Sequence, residues 1–351
     1  MIRIEKVPNV YNFGIYKNSL ILKTEDKLID YYNEKVLENN IELFSIIDSK
    51  LFIKKKGELV FFQEEIKIVL NGTFNPKKAV FFNDFFIQLG KIKKEKKTIK
   101  VNLRNSQIST INIEPYYPSL SYKNYALKIA NFIELYDPFN GKSFWKREFK
   151  DLLHNENASI YGNTQVIGNR LFFFLFDRSR TTADKSTYCL NAETGQILWQ
   201  SDEFGGWLTK FDDRIYSVFD KTVQILNPMT FNVEKIDLTN CLSVLDKEIY
   251  FNPDNKNYKK TFFLSSARYQ IEKSNLFFTE DRGSTFGVVN LQTKELIDYK
   301  ELEIKNEDVK SIGVIKIDSK MIYVSDSDYT LHIFNKPKNT FANRVDGSAS
   351  N

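Results

Sequence analysis

Thr187-Tyr-Cys-Leu-Asn191-Ala-Glu-Thr-Gly195-Gln-Ile-Leu-Trp199 reads as a strand, a polar turn and a second strand ending in an aromatic residue. The Asn-Ala-Glu-Thr-Gly centre is turn chemistry, because Asn bonds its own backbone and Gly tolerates the positive φ of a tight reversal. A looser copy stands at Phe132-Ile-Glu-Leu-Tyr-Asp137-Pro-Phe-Asn-Gly141-Lys-Ser-Phe-Trp145, and fainter outlines at Asn227 to Ile236 and Asn290 to Ile297. Recurrence of one strand-turn-strand unit means a repeated supersecondary element.

Beyond these copies, short apolar runs follow polar turns along the chain. Nine can be counted, at 19–22, 50–53, 84–87, 124–127, 170–174, 214–217, 248–251, 275–278 and 320–323. Turns such as Asp48-Ser-Lys50, Asn83-Asp84, Gly168-Asn-Arg170 and Asp318-Ser-Lys320 precede them, and second runs such as Glu58 to Phe62 or Thr330 to Phe334 come after a polar gap. Antiparallel strands with short turns, repeating roughly every thirty to forty-six residues, predict an all-β chain built as a single β-propeller of four-stranded sheets. A sandwich gives no reason for such a unit to recur. Length suggests about seven blades of about fifty residues, with eight as the alternative because some of the nine runs can share a blade. The propeller is expected over residues 1–340, with the Gly347-Ser-Ala-Ser-Asn351 end belonging to a flexible tail over 341–351. Val36 to Phe44 is the most helix-compatible stretch and reads equally as strand.

Composition agrees. Aromatics are 15% of 351 residues, with 30 Phe and 18 Tyr against 14 Gly, and such residues favour pleated, half-buried surfaces. Hydrophobic residues at 42% with 27% charged describe a globular chain rather than a disordered one. The net charge of +5, set against 50 basic and 45 acidic residues, is too small to indicate nucleic acid by itself. No apolar run is long enough to cross a bilayer. Met1-Ile-Arg-Ile-Glu-Lys places charges where a secretory apolar core would lie, which predicts a cytoplasmic protein without a membrane partner.

Tyr188 to Trp199 closely resembles the repeat of the pyrroloquinoline-quinone-like β-propeller superfamily, and Asp137 to Trp145 resembles it less exactly. The resemblance implies radial four-stranded sheets, an Asn/Asp-to-Gly turn between a blade's two outer strands, and a Trp stapling neighbouring blades. It does not carry the quinone. The quinone enzymes have Trp-rich repeats, a calcium site and export signals, whereas this chain has 3 Trp and no clear calcium cluster.

Side chains that could carry chemistry are sparse, and no catalytic, cofactor-binding or metal-ligating residue is predicted. His154 and His332 are the only histidines; they are read as an exposed loop residue and an ordinary strand position, which disfavours a His-based metal centre or a triad. Cys189 and Cys241 define no disulfide framework, and Cys189 reads as a buried structural thiol. Gly205-Gly206 before Trp207 reads as a tight turn or close backbone approach, and Asp212-Asp213 and Asp326-Ser-Asp328 as turn chemistry, since the other ligands of a calcium loop are missing. The run from Lys91 to Lys100 holds six lysines and one glutamate in ten positions. It reads as a solvated hairpin in a loop or at a blade's outer edge; the arginines and aromatics that stack on bases are absent from it.

Binding residues are expected on the polar connections 177–186, 252–260 and 280–285, because a propeller displays function on loops held by rigid sheets. Arg178, Arg180, Trp207, Tyr258, Arg268 and Arg282 are the candidate partner contacts, being of the types enriched in binding hot spots. Together these readings predict a monomeric, non-catalytic propeller that binds another protein through that protein's acidic face. A specific form is a bacterial immunity protein that neutralises a toxin domain. The alternatives are a small-ligand or enzymatic propeller using a central channel, and an assembly scaffold.

Overall fold

A computed structural model describes every residue except 48–49, 64–65, 72–73, 75–78, 83–84, 93–94, 106, 112–117, 181–182, 252–255, 306–310 and 338–351. The Asp48-Ser and Asn83-Asp84 turns, the start of the 252–260 stretch and the 341–351 tail therefore lie outside the described residues.

The chain is all-β, a β-propeller of eight antiparallel blades with four strands each, one carrying an extra short strand. It divides into two compact units. The larger, residues 11–218 and 223–235, contains the sheets of 12–39, 41–71, 80–111, 118–148 and 158–201, together with most of the sheet of 209–237. In the 158–201 sheet the first strand is split, so that Ala158–Ile160 and Gln165–Ile167 both pair with Arg170–Asp177. The smaller unit, residues 1–10, 219–222 and the chain from 236 onward, holds the sheet of 270–301 and a closing sheet. There Ile312–Ile317, Met321–Asp326 and Leu331–Asn335 are joined at the edge by Arg3–Val7, with Lys6 opposite His332.

The expectation of seven blades is corrected to eight. Eight of the nine apolar runs are second strands of blades; the ninth, 248–251, lies in a two-stranded hairpin, Lys247–Phe251 with Lys256–Lys260, between the sheets of 209–237 and 270–301. Counting by length failed because this insertion inflates the apparent repeat. Val36 to Phe44 is strand, not helix: Lys35–Asn39 and Ile41–Ile47 meet at Asn40, whose φ is +56°. The lysine-rich run is also relocated, since it spans the two middle strands of its blade, Phe85–Ile92 and Glu95–Asn102. These pair over eight positions, while the flanking strands engage three and four, so residues 88–92 and 95–97 have no flanking strand beside them among the described residues.

Several middle strands are buried on both faces, which explains their unbroken apolar runs. Leu171 to Leu175 are all buried, as are Asn275–Thr279 and Thr285 to Val289. Fourth strands such as Ser143–Glu148 and Ile197–Ser201 are largely exposed and carry the polar residues. Cys189 has no accessible surface, and burial pushes its thiol up to about 12.

The recurring motif is the turn between third and fourth strands. Its first residue caps the loop: Asp137, Asn191, Asn227 and Asn290 accept through Oδ1 from the amides two positions on, at 2.8 to 2.9 Å. Its fifth is left-handed, with φ of +73° at Gly141, +68° at Gly195, +61° at Phe231 and +56° at Lys294. A register shift follows in the sheets of the first two and of Asn290. The turn is also where the preceding blade docks. Trp145 Nε1 donates to Ala192 O at 3.0 Å, Arg147 Nε donates to Gly195 O at 2.9 Å, and a Cβ on Gly195 would lie 2.6 Å from the Trp145 ring. In the next blade Phe231 takes glycine's place, stacked on Trp199 at 5.5 Å with the Arg170 guanidinium 4.8 Å from its ring centre.

Gly195→Ala combines a left-handed backbone with a collision against Trp145, and is expected to destabilise the protein by more than about 1 kcal/mol in urea unfolding. In a Trp145→Ala background only the backbone strain remains, so the penalty should fall. Equal penalties in both backgrounds would show that the ring contact contributes nothing.

Candidate functional site

The six predicted contact residues divide between the units. In the larger unit Arg178 and Arg180 are exposed on the turn after Arg170–Asp177, where Asp177 Oδ1 accepts from the Ser179 amide and hydroxyl at 2.9 and 2.6 Å. Trp207 is half-buried on the connection before Thr209–Phe211, edge-on to Tyr161 at 6.1 Å. It packs so closely on Gly162 that a Cβ there would meet the Trp207 backbone at 2.8 Å. The neighbouring glycines make the expected close approach: a Cβ on Gly205 would sit 2.2 Å from the Phe174 ring.

In the smaller unit Arg268 is half-buried, its guanidinium donating to Ile312 O at 2.5 Å and its carbonyl accepting from Thr279 Oγ1 at 2.9 Å. Trp207 and Arg268 thus brace backbone, while Arg178, Arg180 and Arg282 stand exposed. Tyr258 lies in the inserted hairpin, opposite Ile249.

Around Arg282 the fold gathers residues that sequence reasoning missed. The 238–269 connection carries a short helix, Thr239–Leu242, a helical turn, Ser243–Leu245, and the hairpin. A knot of hydrogen bonds holds it down. Asp246 Oδ1 accepts from Lys221 Nζ and from the Phe262 amide, both at 2.8 Å; the Leu264 amide donates to Asp220 O and the Asp281 amide to Phe263 O, again at 2.8 Å. Leu238, Leu242, Leu245, Phe262 and Leu264 are buried there, with Phe262 edge-on to Phe278 at 5.7 Å. On the same knot Phe219, Val244 and Phe263 remain 67%, 63% and 44% exposed. Phe219 had one readable signal, a large aromatic directly before the Asp220-Lys221 turn. Val244 and Phe263 had none, because their exposure depends on which neighbours face the core.

The ionisable groups inside this unit are committed to structure. His332 is fully buried, and its Nε2 lies 2.7 Å from Asp326 Oδ2. Alternation does not turn His332 away from its neighbours' environment, since Leu331 and Ile333 are buried too. With a proton on Nε2 donated to the carboxylate, Nδ1, which has no partner among the described residues, remains a bare acceptor. Burial alone would raise the Asp326 carboxyl, but the bonds from His332 and from the Thr330 and Asp328 amides hold it below its usual value. The Asp326-Ser-Asp328 triplet is thereby a turn: Asp326 Oδ1 accepts from the Asp328 and Thr330 amides, both at 2.9 Å. His154 is exposed at the end of the helix Phe149–Leu153. Among the described residues no group of three His, Cys, Asp or Glu could hold a metal ion, and no helix is long and apolar enough to cross a membrane.

No known family's sequence profile matches the chain, and no curated protein sequence does. Solved structures do match in fold. BamB from Moraxella catarrhalis aligns with a TM-score of 0.55 at 13% identity, over 95% of this chain and 99% of that one. Sqt1 from Saccharomyces cerevisiae gives 0.55 at 10%, over 95% and 97%. The β-propeller domain of Cps50 (Swd1) from Myceliophteria thermophila gives 0.50 at 9%, over 94% and 97%. At such identities the likeness establishes the β-propeller fold.

Because the folded Asp326 carboxyl titrates below its unfolded value, its contribution is complete above the ordinary Asp range and lost as pH falls through the folded value. Asp326→Ala should therefore lose about 2 kcal/mol at neutral pH by leaving the buried His332 Nε2–H without an acceptor. The gap to the parent should narrow on acidification. Urea unfolding across a pH series checks this, and a pH-independent gap would contradict it.

Proposed function

We propose that this chain is a non-catalytic, cytoplasmic β-propeller of the pyrroloquinoline-quinone-like type that binds another protein. The observation carrying this reading is that Phe219, Val244 and Phe263 are all exposed on segments tied together by the hydrogen bonds of Asp220, Lys221 and Asp246, with Arg282 exposed next to Asp281, whose amide bonds Phe263 O. Large apolar side chains left in water on a rigid support are what a partner's surface covers. The reading also draws on the buried ionisable pairs: Asp326 with His332 and Lys221 with Asp246 are bonded to each other and to backbone, supporting the frame rather than facing a substrate.

The more specific form is an immunity-type monomer that caps a toxin domain through an acidic face. Arg282, exposed one residue beyond Asp281, whose amide bonds Phe263 O, supplies complementary charge there. Arg178 and Arg180, exposed on the larger unit, are candidate contacts of that unit taken by itself.

Capture with a tagged chain, followed by mass spectrometry of what is retained, tests the reading. A stoichiometric protein partner is expected, and the double variant Phe219→Asp, Phe263→Asp should weaken it by about thirtyfold or more. Both positions are exposed, so stability should change by only about 0.5 kcal/mol. Recovery of no partner, or undiminished binding by the variant, would reject this surface.

A further inference from the structure

A second feature of the smaller unit says what chemistry the partner presents. The closing sheet and the connection before it form a cleft of about 630 Å³ lined by Lys6, Pro8, Lys305, Asp328, Tyr329 and Thr330, with Ser327 at its side. Lys6 and Lys305 are exposed, and neither forms an ion pair with a described residue. Tyr329 is 54% exposed and held left-handed at φ +58°, its carbonyl accepting from the Val10 amide at 2.7 Å. A bulky side chain in that conformation is uncommon, and such conformations persist only where the surroundings impose them. The backbone around it is fixed: the Lys305 amide donates to Asp328 Oδ2 at 2.6 Å, and the Thr330 amide to Asp326 Oδ1 at 2.9 Å.

We infer that this cleft takes an extended acidic segment of a partner protein, with carboxylates on Lys6 and Lys305 and an apolar side chain against Tyr329 and Pro8. The inference rests on the protein-binding reading above. Two exposed ammonium groups beside an exposed ring and a proline match a chain that alternates charge with apolar bulk. Asp328 in the wall argues against a nucleic acid, whose backbone presents a phosphate at every nucleotide and would have to pass that carboxylate. A cleft of this size accepts a few side chains, not a folded surface. It also joins the partner to the fold, because Lys6 belongs to the edge strand Arg3–Val7 that pairs with Leu331–Asn335.

The test is fluorescence anisotropy of the full chain with a fluorescein-labelled ten-residue peptide of alternating glutamate and leucine. Saturable binding that weakens with added salt is expected. The double variant Lys6→Glu, Lys305→Glu should weaken it by about tenfold or more. Tyr329→Gly, which keeps the left-handed backbone but removes the ring, should weaken it severalfold, while Lys210→Glu in the other unit should leave it unchanged. Circular dichroism verifies folding, and Lys6→Gln with Lys305→Gln replaces the charge reversal if that pair unfolds the chain.

Absence of saturable binding, equal binding by the double variant, or equal binding of a lysine-leucine peptide would overturn the inference. So would displacement of the labelled peptide by oligothymidine at lower concentration than by unlabelled peptide. A captured partner lost from Phe219→Asp, Phe263→Asp but kept by Lys6→Glu, Lys305→Glu would refute the cleft while preserving the protein-binding reading. Peptide binding without any captured partner would do the reverse.

Discussion

A side chain from one blade seated on the outer turn of the next is the contact on which the larger unit's middle blades depend. A four-stranded sheet cannot bury both faces alone. The middle strand Arg170–Asp177 is apolar on both sides, so its sheet without neighbours would leave Phe172, Phe173 and Leu175 in water. Packing of broad apolar faces is nondirectional and would tolerate sliding. Trp145 on Ala192 and Gly195, and Trp199 with Arg170 around Phe231, supply the direction, because each requires one turn conformation and one register. The first turn uses glycine to admit the indole edge. The second uses a left-handed phenylalanine as its own stacking surface, so the two blades solve the same docking problem with opposite sizes of side chain.

That contrast explains which parts of the fold could be read from the sequence. The Asn191 to Trp199 stretch was legible because cap, left-handed glycine and aromatic all sit in their most favourable residue types. The turn at Asn227 was dimmer because phenylalanine replaced glycine, and the one at Asn290 because lysine did, although both retain the capping bond and the positive φ. Blade number was obscured by the hairpin of Lys247–Phe251 and Lys256–Lys260, whose runs match blade strands in pattern and differ only in having no further strand beside them among the described residues.

The candidate surface was less legible. Sequence reasoning looks to polar connections and to Arg, Trp and Tyr, yet Arg268 braces backbone and Trp207 packs on Gly162, while the exposed apolar residues come from positions that look like core. Val244 and Leu245 are adjacent, and the fold exposes one and buries the other. The Lys221 and Asp246 pair and the backbone bonds of Phe263 and Leu264 fix the chain on either side of them. Lys6, Lys305 and Tyr329 are far apart in sequence, and no local pattern could have joined them.

The pairing of Arg3–Val7 with Leu331–Asn335 has a consequence for how the molecule is made. The first strand of the pair is made roughly three hundred residues before the second, so it must wait unpaired while the chain between them is synthesised. Most other pairings join strands that emerge in succession and can zip locally, but this one closes a very long loop. The exposed charges of that strand, Arg3, Glu5 and Lys6, suit the delay, since a nascent edge rich in charge resists pairing with the wrong neighbour.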